Sequence, residues 1–248
     1  MSTSELYTVI FQRKSVRKYA SAPLEQPALD EIKAFMAGLP SLAPGARAQL
    51  RLLGPTQVVR AISAPHYVGA YAETDRLSLL CVGYCLEHLG LWLAQRGLGC
   101  CYSGMAAPHT DCAVWEGMPS VIIMAFGDPA EPSRRTGMSA FKRRSLEQIC
   151  TGDVHKSIAE AVRLAPSAFN NQPWRLRGDK NTLELYFRPR GLRAGLASGM
   201  GCIDMGIALA HLEIGAHQQG FDCRFAFGQS EKPLGKKDEL VCRVHLAG

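Results

Sequence analysis

The chain has 248 residues, room for one large domain or two small ones, with a core that needs no staples. Apolar residues make up 47% and charged residues 20%, which excludes a disordered or fibrous chain. Twenty-eight basic against 22 acidic side chains leave a formal +6, an excess that suits an anionic ligand without requiring nucleic acid. No apolar run is expected to approach the roughly 18 residues of a membrane span. The opening MSTSELYTVI lacks the basic start and apolar stretch of a signal peptide. A cytoplasmic protein without membrane or nucleic-acid partners is therefore expected.

The basic run Arg13-Lys14-Ser15-Val16-Arg17-Lys18 leads into a predicted helix over 29–36, and a strand is predicted over 49–53. Residues 77–96 are apolar nearly all round and stop at Gly97, which predicts a central helix with a glycine cap. A strand over 121–126 closes this half. The second basic run, Lys142-Arg143-Arg144, leads to a helix predicted over 154–164. A strand over 182–187 follows the turn signal Gly178-Asp179-Lys180-Asn181. A second central helix is predicted over 203–219, stopped by Gly220, and a last strand over 240–246. Helices and strands mix, so the expected class is α+β.

The sequence also repeats itself. Shifted by 123, residues 83–100 fall on 206–223 with seven of 18 positions identical, among them Gly83/Gly206, His88/His211, Gly97/Gly220 and Cys100/Cys223. Shifted by 130, residues 11–16 fall on 141–146 with three of six identical. A period this long is no solenoid. It predicts two related halves, residues 1–138 and 139–248, packed as an intrachain pseudo-dimer that needs no second copy.

Three segments carry candidate chemistry. In an extended chain Arg13, Ser15 and Arg17 share a face, and two guanidinium groups flanking a hydroxyl would receive a phosphate. A solvated basic stretch remains the alternative on these residues alone. The segment Ala165-Pro166-Ser167-Ala168-Phe169-Asn170-Asn171-Gln172-Pro173-Trp174 sets small residues and three carboxamides between prolines. It could hold a flat ring with a pyrimidine-like edge, or be a helix-ending loop whose amides form turns. Gly97-Leu98-Gly99-Cys100-Cys101-Tyr102-Ser103-Gly104 follows a helix instead of opening one, so dinucleotide binding of the Rossmann kind is rejected. No catalytic triad, metal-spaced cluster or carboxylate pair stands out, and His88 and His211 read as packing residues. Nine cysteines without a Cys-x-x-Cys spacing read as reduced, buried thiols, a redox or iron–sulfur role being the alternative, with Cys81 and Cys85 four apart on a helix.

Together these segments resemble the flavin-dependent nitroreductases. Phe11-Gln12-Arg13-Lys14-Ser15-Val16-Arg17-Lys18-Tyr19 is similar to that family's Arg-Arg-Ser-x-Arg-x-Phe opening, and residues 165–174 to its Ala-Pro-Ser-x-x-Asn-x-Gln-Pro-Trp. Gly97-Leu98-Gly99 with Ser103-Gly104 resembles its loop after the central helix. Gly127-Asp128-Pro129-Ala130-Glu131-Pro132, followed by Arg143-Arg144-Ser145-Leu146-Glu147, resembles its late Gly-x-Pro-x-Glu and Arg-x-Pro-Leu-Glu stretch.

In ordinary members the asparagine motif follows the N-terminal arginines within the same half. Here it lies in the second half, and Pro40-Ser41-Leu42-Ala43-Pro44 is its faint remnant in the first. Ordinary members build each site across a homodimer. The resemblance therefore implies a duplicated, monomeric branch with one flavin mononucleotide (FMN) per chain. Arg13, Lys14, Ser15 and Arg17, with Arg143 or Arg144, would hold the phosphate. Pro166, Ser167, Ala168, Asn170 and Gln172 would line the ring, and the backbone at Gly104 and Met105 would meet its redox edge. Glu147 stands where the second half would need the counterpart of Arg17, so the partner site would have decayed.

The implied activity is hydride transfer from NAD(P)H through FMN to a small quinone or nitroaromatic, with the chemistry on the cofactor and no catalytic side chain or metal. Alternatives are a vestigial flavin- or ligand-binding protein, and a flavin enzyme of the same fold that dehalogenates or fragments a ring.

Overall fold

The two long apolar stretches become two buried helices, each packed within its own mixed body of helix and antiparallel sheet. A computed structural model of the protein describes residues 3–189, 199–228, 234–235 and 237–248. The chain forms two compact units, one of residues Gln12–Thr136, the other joining the N-terminal segment through Phe11 to Gly137–Gly248. The first eleven residues, assigned by the sequence to the first half, thus belong with the later unit.

α1 (Thr3–Ile10) opens the chain. The unit Gln12–Thr136 then contains α2 (Gln26–Ala37), β1 (Ala48–Leu53), β2 (Val58–Val59), β3 (His66–Ala72) and α3 (Arg76–Gln95). β4 (Gly99–Ser103), β5 (Ala107–Pro108), β6 (Val114–Trp115) and β7 (Met118–Gly127) follow. The main sheet is antiparallel in the order β1-β3-β7-β4, with β6 paired to the start of β7, while β2 pairs with β5 apart from it.

α3 begins where Asp75 Oδ1 accepts from the N–H groups of Leu77 and Ser78 at 2.9 and 3.0 Å, satisfying two helix-end donors. It ends just before Gly97, whose φ of +83° is cheap only for glycine. By length and composition α3 could cross a bilayer, contrary to the expectation that no stretch is apolar enough. However, 89% of its apolar window is buried inside the protein, so the apolarity serves the core. Gly69 in β3 lets the layers close, because a Cβ there would sit 2.8 Å from Leu53 Cδ1 and 2.9 Å from the Tyr71 ring.

The later unit adds α4 (Leu146–Ile149), β8 (Cys150–Gly152), α5 (Lys156–Leu164), β9 (Trp174–Gly178), β10 (Thr182–Phe187), α6 (Met200–His217), β11 (Asp222–Ala226) and β12 (Glu239–Ala247). Its sheet runs β11-β12-β10-β9-β8, antiparallel except for β8 on β9. α6 packs on α5 at Gly215, where a Cβ would lie 3.0 Å from Ile158 Cα. His211 is buried there with Nδ1 2.7 Å from the Ala161 carbonyl oxygen, the packing role expected of it. α1 lies on α5 and α6 and buries Leu6, Val9 and Ile10.

Both units run helix, two strands, helix, two strands: α2-β1-β3-α3-β4-β7 and α5-β9-β10-α6-β11-β12. In both, these four strands lie in the order first, second, fourth, third.

Candidate functional site

In the unit Gln12–Thr136 the basic segment is tied down at intervals. Arg13 bridges to Arg134, Val16 N–H donates to the Cys100 carbonyl at 3.0 Å, and Tyr19 bridges to Pro129. The Tyr19 hydroxyl donates back to the Val16 carbonyl at 2.6 Å. Between the two bridges residues 14–18 form no regular strand, and the Val16 N–H on Cys100 ties them to β4. Lys14, Ser15, Arg17 and Lys18 line a small open cavity of about 210 Å³ together with Val16, Glu131 and Pro132. Lys18 is paired with Glu131 at 2.7 Å, and Arg17 is exposed. Cations and a hydroxyl round a phosphate-sized hollow suit a phosphate, with the Glu131 carboxylate the one unfavourable wall.

Arg13 does not line this cavity, although alternation put it on one face with Ser15 and Arg17. It turns inward, 8% exposed, with Nε 3.8 Å from Glu87 Oε1 and Nη2 3.8 Å from Cys100 Sγ. Tyr102 completes the cluster by donating its hydroxyl to Glu87 Oε2 at 2.7 Å. Burial, the largest single influence, would lower the guanidinium's affinity for its proton, but Glu87 together with Cys100 and Tyr102 outweighs it and Arg13 stays charged. Burial first, and then Glu87, push the Tyr102 hydroxyl well above the ordinary phenol range. Arg13 therefore anchors the root of the basic segment to α3 and β4. Beyond β4 the chain turns at Gly104 and Met105, the turn closed by Ala106 N–H on the Ser103 carbonyl at 3.1 Å, and Met105 is 83% exposed.

The later unit holds the proline–asparagine bend. Pro166 follows the end of α5, and Ser167 Oγ accepts from Gln172 N–H at 2.9 Å across the bend. Phe169, Asn170 and Gln172 have φ of 52°, 56° and 51°, left-handed positions on either side of a right-handed Asn171, which Asn tolerates but which cost Phe and Gln on the order of 1 kcal/mol each. The carboxamides restrain the bend. Asn170 Nδ2 donates to the Lys142 carbonyl at 2.8 Å, its Oδ1 accepts from Arg143 Nη1 at 2.6 Å, and Gln172 Oε1 accepts from the Arg144 N–H at 2.7 Å. Arg143 also donates to the Leu164 carbonyl at 3.1 Å, so it holds the bend within its own unit. The amides thus fasten the bend to residues 142–144, and Phe169 is left 92% exposed at its tip. Pro166, Ser167 and Ala168 beside it are half-buried, offering small side chains and backbone to a flat ring.

Glu87 and Asp204 escaped the sequence reading. Asp204 on α6 accepts the Ala168 N–H at 2.9 Å and so fixes the inner side of the bend. Burial raises its carboxyl to about 7, opposed by that N–H. A carboxylate inside an otherwise apolar helix was the signal that could have found both. Among the described residues no cluster of three or more His, Cys, Asp or Glu could hold a metal ion.

The fold is that of the nitroreductases. A "putative nitroreductase" from Thermotoga maritima superposes with a TM-score of 0.66 at 22% identity, over 99% of this chain and 93% of that one. A nitroreductase family protein from Clostridium difficile 630 matches with a TM-score of 0.50 at 14% identity, over 62% of this chain and all of its own (100%). An FMN-dependent nitroreductase from Clostridium difficile R20291 matches at 15% identity and a TM-score of 0.44, over 56% of this chain and 94% of that one. No curated protein sequence matches the chain. The chain belongs to the family described as "Putative TM nitroreductase", whose pattern spans residues 5–216.

Proposed function

We propose that the protein is an FMN-dependent oxidoreductase that binds one FMN per chain and passes hydride from NADH or NADPH to a small quinone or nitroaromatic acceptor. The reading rests on the division of labour between the units. The unit Gln12–Thr136 supplies an open, phosphate-sized basic cavity, and the later unit supplies a strained, pre-fastened bend with small residues and an exposed aromatic ring. The shared element succession and strand order support an origin by duplication, in which each half kept a different part of an ancestral pair of sites.

When bound, FMN supplies the two-electron chemistry. Lys14, Ser15 and Arg17 would neutralise and hydrogen-bond its phosphate. Arg13 is a positioning residue that holds their segment through Glu87. Pro166, Ser167, Ala168 and Asn170 would lie along the ring, and the backbone at Gly104 and Met105 near its redox edge. Arg143, Arg144 and Gln172 keep the bend in shape. No side chain is assigned as an acid or base.

Flavin released from the purified protein should be FMN at one per chain, on a monomer. Arg17→Glu should lose it, because a negative charge then faces the phosphate, while the melting temperature stays near wild type since Arg17 is exposed. Two flavins per chain, or an Arg17→Glu protein that purifies fully yellow, would overturn the reading. Oxidation of NADH or NADPH coupled to a quinone, measured on the flavin-loaded protein, tests the activity.

A further inference from the structure

A second, larger cavity of about 630 Å³ opens between α2, β1 and α3 of the unit Gln12–Thr136. None of the basic residues 13–18 lines it. Met36 and Leu39 form apolar walls, Lys33 and Arg51 bring positive charge, and Cys81 and Cys85 of α3 face into it. The two sulfurs lie 3.8 Å apart on successive turns.

The two thiols are not equivalent. Hydrogen bonding with the neighbouring Cys85 sulfur, and then from the Leu42 N–H, holds the Cys81 thiol below the ordinary thiol range in spite of burial. Cys85, bonded to Cys81 and buried, is pushed up, and its Sγ sits 3.6 Å from the Pro40 carbonyl oxygen, an acceptor that favours the protonated thiol. Cys81 also stands where α6 has Asp204, at the same 123-residue offset that relates Gly83 to Gly206. There a carboxylate accepts the Ala168 N–H within Pro166-Ser167-Ala168. Here a sulfur accepts the Leu42 N–H within Pro40-Ser41-Leu42. In both units this place holds a hydrogen-bond acceptor for a backbone N–H of the proline–serine segment beside it.

We propose that Cys81 and Cys85 form a two-electron dithiol centre, separate from the flavin site, that reduces a small organic hydroperoxide admitted by this cavity. The Cys81 thiolate attacks the terminal peroxide oxygen. An S–O bond forms, the O–O bond breaks, and the departing alkoxide takes a proton to leave as the alcohol. Cys81 is then a sulfenic acid. The Cys85 sulfur attacks it, an S–S bond forms, and the oxygen leaves as water with the thiol proton. One hydroperoxide and two thiols become one alcohol, one water and one disulfide. Residues four apart on a helix have Cβ atoms about 5–6 Å apart, against about 3.8 Å in a relaxed disulfide. The bond is therefore strained and easily reopened by an external dithiol, as a reversible centre requires.

The test treats the full-length, pre-reduced protein with one equivalent of cumene hydroperoxide, then alkylates the remaining thiols and digests with trypsin. One peptide, residues 77–96, carries both cysteines and no other. It should be recovered unalkylated and short of two hydrogens, with cumyl alcohol formed in proportion and the alkylatable form restored by dithiothreitol. Cys150 and Cys223, the two half-buried thiols, should stay alkylatable, since burial raises both. Cys85→Ser should leave a Cys81 sulfenic acid that dimedone traps, and Cys81→Ser should slow alcohol formation by about tenfold or more. Oxidation of Cys150 or Cys223 ahead of the pair, or a fully alkylated 77–96 peptide after hydroperoxide is consumed, would overturn the proposal. The wild-type peptide map decides even if a variant fails to fold, and it does not depend on whether the flavin reading holds.

Discussion

Asp204 sets a carboxylate into the apolar surroundings of α6, 5% exposed, with the Ala168 N–H as its hydrogen-bond donor. Burial raises its pKa from an ordinary 3.8 to about 7. Between those values the folded protein keeps a proton that the unfolded chain releases. Stability from this group is thus fully present below about pH 4 and declines as pH rises towards 7. Asn in its place still offers an oxygen to Ala168 but cannot ionise. Asp204→Asn should match the wild type near pH 4 and exceed it at pH 8 by a few kcal/mol at most, each tenfold change in proton affinity being worth about 1.4 kcal/mol. Denaturant melts at the two pH values measure this, and a constant difference between them would show that Asp204 titrates normally. Arg13 shows the limit of reading single residues. Its place in a basic run was visible, but its direction was set by Glu87, seventy-four positions away in sequence, and no local spacing encodes that pairing.

At the scale of elements, Gly99 at the start of β4 governs how closely the basic segment lies on the sheet. A Cβ there would meet Val16 Cβ and Cγ2 at 2.7 Å each. Val16 is buried and its N–H is spent on Cys100, so it cannot swing aside without dragging residues 14–18 with it. Gly99→Ala should cost about 1–3 kcal/mol as an overpacked core position does. It should also weaken FMN binding, although Gly99 touches no candidate phosphate ligand. Flavin titration beside a thermal melt checks both. A protein that melts lower yet holds FMN as tightly as the wild type would detach the 14–18 segment from phosphate binding. Elements were legible where punctuation and period agreed. β10 came out with its predicted bounds because Asp179 Oδ1 accepts from Asn181 and Thr182 N–H at 2.8 Å each, the turn its sequence advertises. The central helices were legible from apolarity and their closing glycines. β4 was not, because Gly-Cys-Cys-Tyr-Ser has small residues where strands favour branched and aromatic ones, and its pairing to β7 supplies what propensity does not. β3, buried along almost its whole length, lacks the alternation that marks a half-exposed strand.

At the scale of the whole chain, identities along α3 and α6 pointed to two halves with a similar order of elements, but nothing in the sequence pointed to the destination of the N-terminus, because its partners are more than a hundred residues away. The chain begins in the later unit, passes to the other at Gln12, and returns at Gly137. α1 is the reason the later unit needs its beginning. Leu6, Val9 and Ile10 are buried, and Tyr7 donates its hydroxyl to the Ser157 carbonyl at 3.4 Å. Burying an aliphatic side chain of this size stabilises by about 1.5–3 kcal/mol, so three together supply on the order of 5 kcal/mol before the helix's ordering cost. That is comparable to the whole stability of an ordinary domain. Deleting residues 1–11 should therefore loosen the later unit selectively. Hydrogen exchange in α5, α6 and the β12-β10-β9 strands should accelerate, while the β1-β3-β7-β4 sheet and α3 keep their protection, since they draw their core from Gln12–Thr136. If exchange rose equally in both units, they would unfold as a single cooperative body. If it rose in neither, α1 would be an ornament on a unit complete without it, and the N-terminal exchange would carry no energetic weight.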